Sequence, residues 1–116
     1  MSYNIELSSD FKRRYKNLLK KHASLTEDFR KFLESLKENP AQGIPLGKNC
    51  YKIRLQITSK NKGKSGGARI ITYVRIQNET VYLLSIYDKS EQSSIADKEI
   101  EMQLKNISTL FDLKKK

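Results

Sequence analysis

Basic side chains are concentrated in one interval of this 116-residue chain, which carries a net charge of +10. No acidic residue occurs between Glu38 and Glu79. That interval holds eight lysines and arginines: Lys48, Lys52, Arg54, Lys60, Lys62, Lys64, Arg69 and Arg75. A field of one sign attracts a polyanion, and counterions are released when phosphates bind. The charge distribution therefore favours a nucleic-acid ligand over a protein whose excess charge is merely solvated.

The residue types limit the chemistry that this basic interval can perform. His22 is the only histidine and Cys50 the only cysteine, so the chain has no histidine pair and no ligand set for zinc. Paired carboxylates are missing from the interval, which argues against a glycosidase or a two-metal nuclease. A partial phosphate-loop motif, Gly63-Lys64-Ser65, has Thr58 where the first glycine is required. Catalysis would depend on lysine, arginine, tyrosine and Glu91, without a metal or cofactor.

The basic residues fall on segments with the period of two that predicts strands. Residues 51–57, 68–76 and 81–87 predict a three-stranded antiparallel meander, and residues 3–8 predict a short strand before it. In the last strand, Tyr82, Leu84 and Ile86 are expected to share a face. If helices cover the apolar face, the opposite face displays a cationic surface with an aromatic ring in it. Its predicted members are Lys52, Arg54, Arg69, Tyr73 and Arg75.

Helical patterns flank the strands. Residues 8–10 offer an N-cap for a first amphipathic helix, on which His22 is expected at the end. Ser24 with Glu27 predicts a capping box for a second helix that stops at Asn39-Pro40. Ser94 with Asp97 predicts the cap of a last helix. The expected fold is α+β, an antiparallel β-sheet with an N-terminal helical hairpin on one face and a C-terminal helix. A single domain is expected over residues 1–113, followed by a basic tail at 114–116.

The same sequence carries neither a signal-peptide pattern at its start nor ~18 consecutive apolar residues. We therefore expect a cytoplasmic protein with no membrane partner.

Three segments resemble the RelE/ParE toxin superfamily. Residues 46–55 are similar to the "L-x-G…Y-K-I-R" strand of RelE toxins. Residues 62–73 resemble the "K-x-K-x-G-G-x-R-I-I-Y-Y" stretch of HigB-like members, and residues 81–91 their "Y-L-L-x-I-Y-x-K-x-E" strand. The predicted order of strand, two helices, meander and helix is similar to the family as well.

The resemblance implies a type II toxin that cleaves messenger RNA on the ribosome, by metal-independent attack of a ribose 2′-hydroxyl on the adjacent phosphate. It implies that Arg69 stabilises the phosphate, that Lys52 or Arg54 supplies the base, and that Lys89 and Glu91 complete the catalytic set. Some relatives carry a catalytic tyrosine in the last helix, where this chain has Ala96. The residues expected to bind RNA are Lys48, Lys60, Lys62, Lys64, Tyr73, Arg75 and Tyr87.

The implied partners are the ribosome, messenger RNA and a cognate antitoxin with a helix-turn-helix DNA-binding region. Two other functions remain open at this point. One is inhibition of DNA gyrase, as in ParE-like members, and the other is RNA or ribosome binding without catalysis.

Overall fold

The protein forms a five-stranded sheet with helices on both faces. The computed structural model describes residues 3–60, 67–92 and 94–115, with the main chain alone at residues 60 and 108–115. The strands are β1 (Asn4–Leu7), β2 (Ile44–Gly47), β3 (Cys50–Leu55), β4 (Ala68–Arg75) and β5 (Thr80–Asp88). The helices are α1 (Ser9–Leu19), α2 (Leu25–Glu38) and α3 (Asp97–Lys115). None of these helices is long and apolar enough to cross a membrane.

The strand order is β1-β5-β4-β3-β2. Strands β3, β4 and β5 form the predicted antiparallel meander. The sheet as a whole is mixed, because β1 pairs with β5 in the parallel direction. The edge strand β2 was not predicted. Its sequence Ile-Pro-Leu-Gly is exposed throughout and contains a proline, which lacks the N–H that a central strand needs.

Helices α1 and α2 cover one face of the sheet, which we call the hairpin face. The side chain of Ser8 caps α1 as predicted, accepting a hydrogen bond from the Phe11 N–H at 3.0 Å. The predicted capping box of α2 is wrong, since the Ser24 side chain makes no cap hydrogen bond. Its hydroxyl instead contacts Asp28 and Ser59, and Glu27 pairs with Arg30. The helix ends at Glu38, as the Asn-Pro pair indicates.

Most of the hydrophobic core lies between the hairpin and the sheet. Phe11, Leu25 and Leu36 of the helices are fully buried there against alternate residues of the strands. These strand residues include Ile53, Leu55, Ile70, Val74, Val81, Leu83 and Ile86. The alternation predicted for β3 and β4 is confirmed for the residues within the strands. Ile76 closes the segment that was predicted as a strand, but it is 63% exposed because it lies in the single-turn 3-10 helix Ile76–Asn78 after β4.

Helix α3 covers part of the opposite face, where Ile100 and Ile107 pack with Cys50, Ile71 and Leu84. The prediction that Tyr82, Leu84 and Ile86 share a face is wrong. The register shifts within the β4–β5 pairing, where Ile71 faces Ser85 and Thr72 faces Leu83. A bulge of this kind adds one residue to a strand and reverses the parity of the residues after it. Tyr82, Leu84 and Tyr87 therefore contact the α3 side, and Ile86 the hairpin core.

Helix α3 also differs from the prediction at its two ends. It begins at Asp97, and the carbonyl oxygen of Ala96 accepts a hydrogen bond from the Ile100 N–H at 3.2 Å. Ser94 is therefore not the capping residue. The helix continues through Lys115, so two of the three closing lysines are helical.

Candidate active site

The sheet register places Arg54, Arg69 and Tyr87 side by side on the face opposite the hairpin. Arg54 of β3 is paired with Arg69 of β4, and Arg69 is paired with Tyr87 of β5. Directly opposed residues have Cβ atoms roughly 5 Å apart. We call these three residues the arginine–tyrosine row. The bulge in β5 creates it, because it turns the Tyr87 side chain to the same face as Arg69.

Arg69 is buried, with 6% of its surface exposed, whereas Arg54 is exposed. Its guanidinium donates a hydrogen bond to the carbonyl oxygen of Ala68 at 3.2 Å. Among the described residues, no carboxylate forms an ion pair with either arginine of the row. Burial of a cation without a partner is costly, and like charges opposed across two strands destabilise the pairing. The positive charge of the row is therefore not offset by a described carboxylate, and a bound anion would offset it.

Tyr87 adds a hydroxyl donor to the same row. The residue is 3% exposed, and its Oη is buried without a hydrogen-bond partner among the described residues. Burial raises the pKa of the Tyr87 hydroxyl, and the nearby charge of Arg69 acts in the opposite direction. The hydroxyl thus stays protonated at neutral pH beside a positive charge. A phosphate oxygen placed at the row could accept a hydrogen bond from it.

Two lysines lie near the row. Lys52 is half-buried on β3, facing Ile71 and two residues from Arg54 on the same side of the sheet. Lys89 is half-buried and follows the last residue of β5. Its main-chain N–H donates to the carbonyl oxygen of Gly67 at 3.1 Å, which places it at the end of the sheet where β4 begins. The structure therefore brings Lys52, Arg54, Arg69, Tyr87 and Lys89 to one region.

Gly67 is a residue of this region that the sequence reasoning did not single out. It has a φ of +93°, which favours glycine. A Cβ at this position would lie 2.6 Å from the carbonyl oxygen of Leu55. Close approach of two strand ends therefore requires glycine here. The adjacent Gly66-Gly67 pair in the sequence was the available signal.

Other predicted site residues lie elsewhere. Glu91 is exposed and pairs with Lys21, at the end of the helical hairpin. Arg75 pairs with Thr80 at the far end of β4, six residues and about 20 Å from Arg69. Lys48, in the turn between β2 and β3, pairs with Glu101 of α3 at 3.0 Å.

Tyr73 is half-buried and stacks on Tyr82, with 5.9 Å between ring centroids, next to the residues that contact α3. The main chain of Lys60 lies in the 3-10 turn Thr58–Lys60. The Lys60 side chain, Lys62 and Lys64 fall outside the described residues.

The single histidine and the single cysteine, which are residue types that often act as a general base or a nucleophile, have other contacts in this structure. His22 follows α1, as expected, and its Nε2 lies 3.1 Å from the Asp88 carboxylate on the hairpin face. The other oxygen of Asp88 accepts hydrogen bonds from the Ser90 N–H and hydroxyl, at 2.9 and 2.7 Å. Cys50 is buried, and burial raises the pKa of its thiol to about 11. Within the described ranges, no cluster of three or more histidines, cysteines or carboxylates is placed to hold a metal ion.

Comparison with known proteins points to one toxin family, both by sequence and by fold. Residues 8–116 match the family model described as the RelE toxin of the RelE/RelB toxin–antitoxin system. An Escherichia coli RelE variant with two arginine-to-alanine substitutions, in the free state, is 21% identical with a TM-score of 0.59, over 92% of this chain and 99% of that one. The intact E. coli RelBE toxin–antitoxin complex is 22% identical with a TM-score of 0.56, over 73% and 94%.

The RelBE2 toxin–antitoxin complex of Mycobacterium tuberculosis is 13% identical with a TM-score of 0.54, over 76% of this chain and 99% of that chain. At these identities the solved structures show a shared fold, and the α+β prediction is confirmed. The family model covers nearly the whole chain, and on that ground the protein belongs to the RelE toxin family.

Proposed function

We propose that this toxin inhibits translation by cleaving messenger RNA on the ribosome. The observation that carries the proposal is the buried Arg69, which has no carboxylate partner among the described residues and lies between Arg54 and Tyr87. Such a site is complementary to a phosphate that gains charge during reaction. Donors already fixed in place stabilise that charge without reorganisation.

The chemistry that fits these side chains is an intramolecular transesterification. The ribose 2′ oxygen attacks the adjacent phosphorus, the bond from phosphorus to the 5′ oxygen breaks, and a 2′,3′-cyclic phosphate forms. One group must accept the 2′ proton, and another must donate a proton to the departing 5′ oxygen. Arg69 and Arg54 are assigned to the phosphate oxygens, with a hydrogen bond from Tyr87. Lys52 and Lys89 are the amines assigned to the two proton transfers.

We also propose a RelB-type antitoxin as the partner that neutralises this toxin, with a helix-turn-helix DNA-binding region as the expected form. Its support is the similarity in fold to the E. coli and M. tuberculosis complexes, each of which contains a toxin and an antitoxin. The net charge of +10 suits an acidic binding segment. Action on ribosomes places the protein in the cytoplasm.

The test is induced expression of the chain in bacteria, with growth measurement and primer extension on abundant messages. The parent protein is expected to arrest growth and to produce cuts in phase with the reading frame. Arg69→Ala is expected to abolish both, whereas Arg30→Ala is the matched control because Arg30 is an exposed arginine paired with Glu34 on α2. Growth arrest with DNA damage and no cuts would indicate a gyrase inhibitor, and ribosome association without cuts a non-catalytic binder. Either result contradicts the proposal.

A further inference from the structure

His22 lies in the short connection between α1 and α2, and the proposed reaction does not use it. Its main chain is fixed on both sides. The His22 N–H donates to the carbonyl oxygen of Leu18 at 3.1 Å, and its carbonyl oxygen accepts a hydrogen bond from the Leu25 N–H at 3.2 Å. Leu18 and Leu25 are themselves buried in the hairpin core. The imidazole of His22 is therefore held in a defined position relative to the sheet.

This imidazole reaches the last residue of β5. Its Nε2 lies 3.1 Å from Oδ2 of Asp88, and the two side chains are only 12% and 4% exposed. A carboxylate only accepts hydrogen bonds, so Nε2 is the donor in this pair. Oδ1 of Asp88 accepts hydrogen bonds from the N–H and the hydroxyl of Ser90. Asp88 thus joins the helical hairpin to the turn after β5, and we call His22, Asp88 and Ser90 the clasp.

Lys89 lies between the two members of the clasp that follow one another at the end of β5. Its N–H donates to the carbonyl oxygen of Gly67, so the pairing of β4 with β5 continues one residue past Asp88. Side chains alternate between the two faces of a strand, and Asp88 contacts the hairpin. We therefore expect the Lys89 side chain on the face of Arg69 and Tyr87.

A second contact joins the same two segments of the chain. Lys21 pairs with Glu91, and these side chains are 57% and 52% exposed. An exposed ion pair contributes little to stability because water and salt screen it. A charge-assisted hydrogen bond is about twice as strong as a neutral one, and the clasp places such a bond where little water reaches it. Burial therefore assigns the position of the turn to the clasp rather than to the exposed pair.

We propose that His22 is a positioning residue for cleavage, which acts through Asp88 to hold Lys89 beside Arg69. This inference rests on the proposed function, in which Lys89 takes part in proton transfer, and it deepens that function. A group that transfers a proton must lie within hydrogen-bond reach of the atom it serves. A displacement of about 1 Å can lower the rate by about 100-fold. His22 itself does not contact the message, since it lies on the hairpin side of the sheet.

The experiment measures single-turnover cleavage of a defined message on purified ribosomes, with the toxin in excess at a series of concentrations. The rate constant at saturation reports the reaction, and the half-saturating concentration reports binding to the programmed ribosome. His22→Leu fills similar space without a donor. We expect it to lower the saturated rate constant roughly 10- to 100-fold and to leave the half-saturating concentration within about 2-fold of the parent.

Two variants are the matched controls. The side-chain nitrogen of His22→Gln can donate to Asp88, so this variant is expected to cleave within about 3-fold of the parental rate. Lys21→Gln breaks the exposed contact between the same segments and is expected to cleave at the parental rate when saturating. Urea unfolding verifies the fold of each variant.

A double-mutant cycle tests whether His22 acts through Lys89. In the Lys89→Gln background, His22→Leu is expected to slow the residual cleavage by less than about 2-fold, because a positioning residue has little effect once the residue it positions is replaced. Hydrogen exchange of the Lys89 amide, measured without ribosomes, is expected to be faster in His22→Leu than in the parent, His22→Gln or Lys21→Gln.

Three results would overturn the inference. His22→Leu could cleave at the parental rate, or His22→Gln could be as slow as His22→Leu, which would show that the N–H donor is not what matters. In the third result, His22→Leu slows cleavage equally with and without Lys89. Each of these leaves the proposed function standing if the parent cleaves the message. If the parent does not cleave ribosome-bound message, the proposed function fails, and the inference fails with it.

Discussion

Replacement of Arg69 by methionine separates the contribution of this residue to catalysis from its contribution to folding. Methionine keeps an unbranched aliphatic side chain, shorter than that of arginine, and removes the charge. In the structure, Arg69 is buried, with 6% of the residue's surface exposed, and its guanidinium donates a hydrogen bond to the carbonyl oxygen of Ala68. It also faces the like charge of Arg54.

We expect the Arg69→Met variant to have a higher free energy of unfolding than the parent protein. Loss of the bond to Ala68 costs about 1 kcal/mol, and relief of the opposed arginines returns up to about 1 kcal/mol. Removal of a buried cation that has no described carboxylate partner contributes more than either, so we expect the free energy of unfolding to rise by roughly 1–3 kcal/mol. Cleavage should nevertheless fall by about 10²- to 10³-fold, the usual cost of one fixed donor to a developing charge.

Urea unfolding followed by circular dichroism measures the stability, and cleavage of ribosome-bound message measures the activity. Arg54→Met is the matched control. It relieves the same repulsion but removes an exposed charge, so its gain in stability should not exceed about 1 kcal/mol. A fall in the unfolding free energy of Arg69→Met by 1 kcal/mol or more would refute the reasoning, because Arg69 would then be a structural residue. Undiminished cleavage would refute its assignment to the site.

Three other substitutions test separate parts of the account. Tyr87→Phe removes a buried hydroxyl that has no hydrogen-bond partner among the described residues; stability in urea should be equal or higher, and cleavage should fall roughly 10- to 100-fold if the hydroxyl contacts the phosphate. Gly67→Ala should lower the free energy of unfolding by about 1–3 kcal/mol, since φ is +93° and the Cβ meets the Leu55 carbonyl; a neutral result would mean that the strand ends separate easily. For Cys50 the folded-state pKa of about 11 lies above the unfolded value near 9, so stability present below pH 9 should decline between pH 9 and 11. The free energy of unfolding of the parent should therefore fall more steeply between pH 9 and 11 than that of Cys50→Ala. Equal pH dependence of the two proteins would contradict this prediction.

The sequence predicted correctly which face of the sheet carries the candidate site. It did not predict how far that site extends along the strands. Alternation in β3 and β4 correctly placed Lys52, Arg54 and Arg69 on one side, because the opposite side of both strands is needed for the core. Alternation does not report distance along a strand. Arg75 shares the face of Arg69 but lies about 20 Å away, so the basic interval of the sequence is not one basic site.

The features that were missed depend on pairing between strands rather than on local pattern. The bulge in β5 arises from the register against β4 and brings Tyr87 beside Arg69, which the pattern of β5 alone does not indicate. Strand β2 forms although Pro45 argues against a strand, because it lies at an edge where a missing donor is tolerated. Glu91 faces Lys21 because the turn after Asp88 directs the chain toward the hairpin.

The central claim is that the arginine–tyrosine row cleaves RNA held on the ribosome. The most direct measurement is the chemistry of the new ends after the purified chain is mixed with ribosomes programmed with a defined message. We predict that the message is cut only when ribosomes are present, with a 2′,3′-cyclic phosphate on the upstream fragment and a 5′-hydroxyl on the downstream one. A message that stays intact under these conditions, or fragments with a 5′-phosphate, would contradict the account.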